Sequence, residues 1–193
     1  MPDNLETATD SLSDYTRKLE IATYYANGDE ERARKITDKP VWILGIGTSY
    51  DAHYLGDRDL ADVFALEKAA GRAYAMAGIR NPRRSVDLAE VGDDFSYQEL
   101  LWLEGLGLCD RGEAGRFTAS GATAIGGKLP VNPSGGLLSG VPANVSGLNR
   151  VAEAVLQLRG EAGDRQVRGA NIAVAQGHSG FCGQHQCVVV LGN

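Results

Sequence analysis

The stretch from Gly126 to Gly160, GGKLPVNPSGGLLSGVPANVSGLNRVAEAVLQLRG, constrains the fold more than any other part of this chain. Its first half is loop chemistry. Pro130, Pro133 and Pro142 remove backbone donors, while Gly135, Gly136 and Gly140 admit backbone shapes and close approaches that other residues resist. Its second half is helical. Ser146 is placed as the N-cap, and Leu148, Val151, Ala152, Ala154, Val155, Leu156 and Leu158 cover more than a single stripe of a helix over 146–159. A helix apolar on most sides needs cover on most sides, so it is expected in a middle layer, buried against a partner.

The other elements follow from spacing. Residues 15–39 have helical periodicity broken at Asn27-Gly28 and stopped before Pro40, which predicts two short helices in an N-terminal helical extension, 1–39. The apolar run 41–46, VWILGI, reads as a strand covered on both faces and ended by Gly45, Gly47 and Thr48. Residues 59–79 read as a long helix with an apolar face that includes Leu60, Phe64, Ala69 and Ala73, closed by Gly78. Residues 85–91 alternate as a strand, Gly92-Asp93-Asp94-Phe95 follows, and 96–106 is helical. A loop over 105–115, a hairpin over 116–125 around Gly121, and core strands at 171–175 and 187–191 joined by QGHSGFCGQHQ complete the order. Strands interleaved with helices predict an α/β domain, 40–193, with a mixed β-sheet and helices on both faces.

Composition narrows the function classes. A formal charge of −6 and a pI near 5.1 oppose a general nucleic-acid surface, which needs clustered positive charge. Arg80, Arg83 and Arg84 make a local basic group suited to a CoA phosphate or to a solvated helix end. No apolar run nears the roughly 20 residues that span a bilayer, and the MPDNLETATD start lacks a signal core, so a cytoplasmic location is expected. Cys109, Cys182 and Cys187 are too few for a disulfide framework and are read as reduced thiols. GGKLP lacks P-loop spacing.

Four segments carry a resemblance. Asn132-Pro133-Ser134-Gly135-Gly136, Gly140-Val141-Pro142, Ser146-Gly147 and Gln157-Leu158-Arg159-Gly160-Glu161-Ala162-Gly163 follow one another as they do in the thiolase superfamily. The likeness is to the C-terminal half of the sterol-carrier-protein-X type and related non-classical thiolases. It implies one thiolase-type half, without the N-terminal half that carries the nucleophilic cysteine. The methionine start suggests a genuine short gene product. Two departures stand out: Val141 replaces the histidine of the family's Gly-His-Pro motif, and Gly92 replaces the histidine of its AEVHDCF-type motif, where Asp94 also replaces the cysteine. A glycine has no side-chain donor for a developing oxyanion.

The resemblance also points to candidate residues. Cys182-Gly183 sits where the family has a Cys-x-Gly or related turn, so Cys182 and the neighbouring His178 are the candidate catalytic groups, against a buried thiol and a loop histidine. Asn132, Ser134, Gly135, Gly136 and Gly140 are the candidate substrate-binding residues, against a purely turn-forming role. Tyr97 is either a counterpart of the tyrosines of steroid side-chain aldolases or a packing residue. His178, Cys182, His185 and Cys187 are acceptable zinc ligands by type but follow no recognised spacing, so no metal site is expected. No cofactor is expected beyond coenzyme A as part of the substrate.

The resemblance implies a subunit of a multi-chain thiolase-like enzyme acting on acyl-CoA thioesters, paired with a chain that carries the nucleophilic cysteine. The rival reading is a non-catalytic scaffold that stabilises an active paralogue or docks an OB-fold/zinc-ribbon protein.

Overall fold

The computed structural model describes residues 30–138, 140 and 145–193. The first of the two expected N-terminal helices lies outside the described residues. The second is α1 (Glu30–Ile36), held by Arg34–Glu30 and Lys35–Glu31 pairs one turn apart.

Four strands form one mixed sheet in the order β1-β4-β3-β2: β1 (Trp42–Tyr50), β2 (Leu88–Glu90), β3 (Ile172–Ser179) and β4 (His185–Gly192). β1 and β3 both run antiparallel to β4, whereas β2 runs parallel to β3. Val131 adds a single parallel bridge to Ala89 beyond β2. Alternation along β4 serves both faces. Val188 and Val190 join Val174 under α2 (Phe64–Met76) and α4 (Ser96–Gly105), while Leu191 joins Ala173 and Ala175 under α6 (Ser146–Arg159). Helices therefore cover both faces, as the order of elements implies.

β1 differs from its expected form for a physical reason. Gly45 and Gly47 do not end the strand; they lie inside it, because α2 packs flush on them. A Cβ at Gly45 would collide with the carbonyl oxygen of Ala73, and one at Gly47 with that of Ala69. The small residues on each side let strand and helix backbones touch. β1 is also an edge strand rather than one covered on both faces: Ile46 is 44% exposed, and the register shifts between Ile43 and Gly45, leaving Leu44 as a bulge.

α2 starts at Phe64 instead of residue 59. Asp59 and Asp62 side chains bond the nearby backbone N–H groups of Ala61 and Val63, a local alternative to helix, so Leu60 and Phe64 stay exposed. Gly78 closes the helix in the left-handed region, as expected. β2 is shorter than the 85–91 strand expected, since Pro82 opens a one-turn helix, α3 (Pro82–Ser85).

The hairpin expected over 116–125 is replaced by α5 (Ala114–Ala119), which ends at Gly121 with φ near 79°. The chain doubles back one step later, where Leu129 and Val131 donate to the carbonyls of Ala122 and Thr123 at 2.9 Å each.

α6 keeps its expected bounds, but Val145 rather than Ser146 occupies the N-cap, with no side-chain cap bond. Gly160 ends it in the left-handed region, with Glu161 N donating to Leu156 O. Its cover is partly polar and partly its own chain. Gln157 bonds the carbonyl of Arg165 and the amide of Val167, Arg165 pairs with Glu153, and Arg159 donates to the carbonyl of Lys39. Leu148 remains 45% exposed at the start of the helix.

Gly47→Ala is expected to cost about 2–3 kcal/mol through forced separation of β1 and α2, a fall of roughly 5–10 °C in Tm. Gly71→Ala on the same helix, where an added Cβ meets nothing within 4 Å, should leave Tm level or raise it slightly. Thermal unfolding of the two variants side by side checks the flush packing, and equal shifts would contradict it.

Candidate functional site

Parallel β2 and β3 deliver their carboxyl ends to the same place, a position where open α/β sheets commonly bind ligands. Residues 90–94 follow from β2, Gln176 to His178 close β3, and the loop from Asn132 to Leu137 crosses over them. The start of α6 also reaches this end, because Gly147 and Gly177 are both glycines: a Cβ on Gly177 would stand 3.0 Å from the α-carbon of Gly147.

The floor of the site is one buried polar knot. Glu90, with no exposed surface, accepts bonds from the backbone N–H of Ser134 at 3.0 Å and its hydroxyl at 2.8 Å. Arg150 of α6 pairs with the same carboxylate at 2.9 Å and donates to Ser134 Oγ at 3.1 Å. Beside it, Asn132 holds φ near 48°, accepts from Val91 N at 2.7 Å and donates to Glu99 at 3.2 Å. Gly136 lies so close over the Asp93 carboxylate that any Cβ there would collide with it, and Asp93 accepts from Leu137 N at 2.6 Å. The side chains of Asn132 and Ser134 are thus engaged in shaping the loop, and Gly135 and Gly136 supply its left-handed turns. At Gly140 a Cβ would meet nothing within 4 Å. Val141 and Pro142 lie outside the described residues.

Next to the floor stands an imidazole. His178 Nε2 lies 2.8 Å from Asp94 Oδ2, its ring sits 5.3 Å from the Trp102 ring, and its side chain is only 9% exposed. Burial pushes its pKa below the ordinary histidine value, with the Asp94 carboxylate partly offsetting this. A neutral ring beside a carboxylate carries its proton on Nε2, which leaves Nδ1 as an acceptor. Nδ1 is buried and has no hydrogen-bond partner among the described residues. The ring edge bearing Nδ1 lies over the bare α-carbon of Gly92, where an added Cβ would stand 2.8 Å from Nδ1 and 3.0 Å from Cε1. Both backbone polar groups of Gly92 are tied elsewhere: its N–H to Gln176 Oε1 at 2.8 Å and its carbonyl to Trp102 Nε1 at 2.6 Å. Gln176 passes the chain on to Gln186, and Gln186 to the carbonyl of Gly183.

Cys182 lies apart from this pair in bonding terms. It is exposed on a 3-10 turn, Phe181–Gly183, with φ near 52°, and its carbonyl accepts from Arg58 at 3.0 Å. It lines a cavity of about 570 Å³ together with Leu60, Val63, Tyr97, Leu101 and Trp102. His178 does not line that cavity, and no hydrogen bond joins it to Cys182 among the described residues. Tyr97 is 57% exposed and stacks on Phe95, so it is a rim residue and not a packing one. Burial pushes the Cys109 thiol up to about 11 and raises that of Cys187 as well, so neither is an ionised nucleophile. His185 stacks on Tyr50 at 4.1 Å with Ser179 Oγ 3.2 Å from its Nδ1. Among the described residues no three His, Cys, Asp or Glu side chains converge as a metal site. Arg83 pairs with exposed Asp110 at 2.7 Å, which raises its already high pKa. No helix among the described residues is long and apolar enough to cross a membrane.

Three features escaped sequence reasoning: the Glu90–Arg150 pair, the Gln176 bridge and the role of Asp94. Each includes a contact between residues 60 or more positions apart with no shared motif. The one available signal was local: Asp94 lies two residues after Gly92, just past the end of β2.

A mixed sheet with a helix layer on each face and a glycine-rich polar floor at the carboxyl ends of parallel strands defines an α/β protein of the thiolase type. The chain belongs to the thiolase C-terminal domain-like family, whose pattern matches residues 47–193. It is 41% identical over 155 residues to an acetyl-CoA acetyltransferase of Methanothermobacter thermautotrophicus, covering 79% of this chain and 40% of that protein. It is 35% identical over 140 residues to the benzoylsuccinyl-CoA thiolase subunit BbsB of Thauera aromatica, covering 72% and 36%. Among solved structures, the Ltp2-ChsH2(DUF35) aldolase superposes with a TM-score of 0.72 at 30% identity, over 84% of this chain and 42% of that one. The chain spans about two fifths of the length of these relatives.

Burial pushes the Glu90 carboxyl up to about 7, outweighing Arg150 and the Ser134 donors, which pull it down. The folded state therefore holds this proton more tightly than the unfolded chain. Its contribution to stability is full below about pH 4.5 and is lost as pH rises through about 7. Melting curves from pH 5 to 8 are expected to show a decline of the order of 2–3 kcal/mol from this group, and Glu90→Gln should flatten it; an unchanged slope in the variant would remove Glu90 as the cause.

Proposed function

We propose that this chain is a subunit of a multi-chain thiolase-like enzyme acting on acyl-CoA thioesters, forming or breaking a C–C bond. One observation carries the reading. The sheet end assembles a neutral, carboxylate-backed imidazole over a glycine-rich floor, yet the described residues join no thiol to it. Acid–base chemistry is on hand here, and a covalent acyl carrier is not. The carrier would come from a partner chain with the nucleophilic cysteine. The names of two relatives support this: one is a CoA-thioester thiolase subunit, and the other is an aldolase with two named components.

In this reading Asn132, Ser134, Gly135, Gly136 and Gly140 form the wall beneath the acyl-thioester, and His178 and Cys182 are the groups this chain brings to the reaction. Coenzyme A enters with the substrate, and no other cofactor is required. The reduced cysteines suit a cytoplasmic setting.

The scaffold reading is favoured by one feature, the missing side-chain donor at Gly92. In it, exposed Val145 and Leu148 at the start of α6 dock on an active paralogue, and an OB-fold/zinc-ribbon protein binds alongside.

Purification through a tag on this chain, with candidate partner chains co-expressed, followed by native mass and turnover of CoA thioesters, tests both. A cysteine-bearing thiolase-like chain in fixed ratio is expected, with turnover falling at least tenfold in Cys182→Ser or His178→Gln complexes. Turnover unchanged in both variants would favour the scaffold, and a chain recovered free of partners would defeat both readings.

A further inference from the structure

We infer that the cavity of about 570 Å³ between the loop over 58–63 and α4 is a binding site for the uncharged apolar chain of a small molecule, with the Cys182 thiol in its wall. Neither Glu90 nor His178 lines it, so it is separate from the polar floor. The inference goes beyond the acyl-CoA reading above. The acyl part of a thioester is one source of such a chain, and a free uncharged lipid is the other.

Three observations carry it. The first is the lining: Leu60, Val63, Leu66, Leu100, Leu101 and Trp102 give the cavity an apolar surface. Its volume falls within the roughly 300–1,000 Å³ of pockets that hold small molecules.

The second is that polar ties hold the cavity open. The Asp59 and Asp62 carboxylates accept from the N–H groups of Ala61 and Val63 at 3.0 and 2.7 Å, which shapes the loop. The buried Arg58 side chain pairs with Asp51 at 3.1 Å and donates to the Cys182 carbonyl at 3.0 Å, which ties the loop to the turn Phe181–Gly183. The loop therefore cannot fold down onto α4. Packing around the cavity is tight, because a Cβ at Gly105 would stand 2.9 Å from the Val63 and Leu66 side chains, and one at Gly183 2.9 Å from the Trp102 ring. The space is thus a built feature and not a slack core.

The third is charge. The charged lining residues are Asp51, Arg58, Asp62 and Glu104. Asp51 is matched by Arg58 and Asp62 by Arg111, whereas Glu104 is held by a neutral donor, the Ala114 N–H at 3.2 Å. An anionic ligand would meet a wall that leans negative, and an uncharged chain avoids that repulsion. Exposed Leu60 and Tyr97, the latter stacked on Phe95, form an apolar lip at which the chain enters.

The test uses the chain as purified with whatever partner accompanies it, and reads the rate of Cys182 alkylation by iodoacetamide through peptide mass spectrometry. Buried Cys109 in the same digest reports unfolding. The probes share one chain length: decanoyl-N-acetylcysteamine thioester and 1-decanol are uncharged, and decanoate is anionic. A bound neutral probe at about ten times its Kd should slow alkylation about tenfold, since only the unoccupied fraction reacts. Decanoate at the same concentration should have much the smaller effect. Protection by the thioester alone makes a thioester's acyl group the occupant; protection by both neutral probes makes the site one for uncharged lipid chains. Ala65→Leu and Ala61→Leu enlarge lining residues on two different elements, and each should weaken binding about tenfold or more while Tm holds or rises. If one of them lowers Tm by overpacking, the other decides. Glu104→Gln should strengthen decanoate binding roughly two- to fivefold and leave the neutral probes unchanged. No protection by either neutral probe, equal protection by decanoate, or full protection in both folded alanine variants would overturn this inference and leave the acyl-CoA reading intact. Protection without turnover of any CoA thioester would overturn that reading and leave this one standing.

Discussion

Everything at the working end of this sheet depends on one buried carboxylate. Glu90 has no contact with water, and it is tolerated there because Arg150 and two donors from Ser134 surround it. These partners come from a strand end, a loop and a helix, so a single charge fixes how three elements meet. Removing Glu90 would leave the buried Arg150 guanidinium without this carboxylate, and removing Arg150 would push a carboxyl already raised to about 7 further toward its neutral form. The loop cannot drift from the sheet while Ser134 serves both Glu90 and Arg150.

On that floor, space is allotted by glycines more than by large side chains. Gly136 makes room for the Asp93 carboxylate, Gly177 and Gly147 let the start of α6 touch β3, and Gly92 makes room for the His178 ring. The resemblance implies a histidine at position 92; here Gly92 stands there, and the ring of His178, 86 positions later in the chain but next door across the β2–β3 pair, packs over it.

The long helix over 146–159 and the helix starting at Ser96 were legible because their apolar spacing and stop signals are local. The region 116–125 was misread because Gly121 signals a reversal without saying whether a helix or a strand precedes it. Gly45 and Gly47 read as strand breakers, and only the alanines of α2 lying across them show why they belong inside β1. Of the candidate site, the loop residues from Asn132 to Gly136 were legible as turn formers from composition alone. The partners that use them, Glu90, Arg150, Glu99 and Asp93, were not, because no periodicity links residues 16 to 44 positions apart.

By itself the sequence determined the class of fold, the order of its elements, the buried helix and the glycine-rich loop, since each rests on interactions among residues close in the chain. Tertiary structure alone decided which charges are buried together, that β1 is an edge, that Cys182 faces a cavity His178 does not line, and that Asp94 holds His178 over Gly92. The physical reason is the same in each case. Burial, pKa and free volume belong to the packed interior, where residues far apart in sequence share one low-dielectric space, and no single segment carries that information.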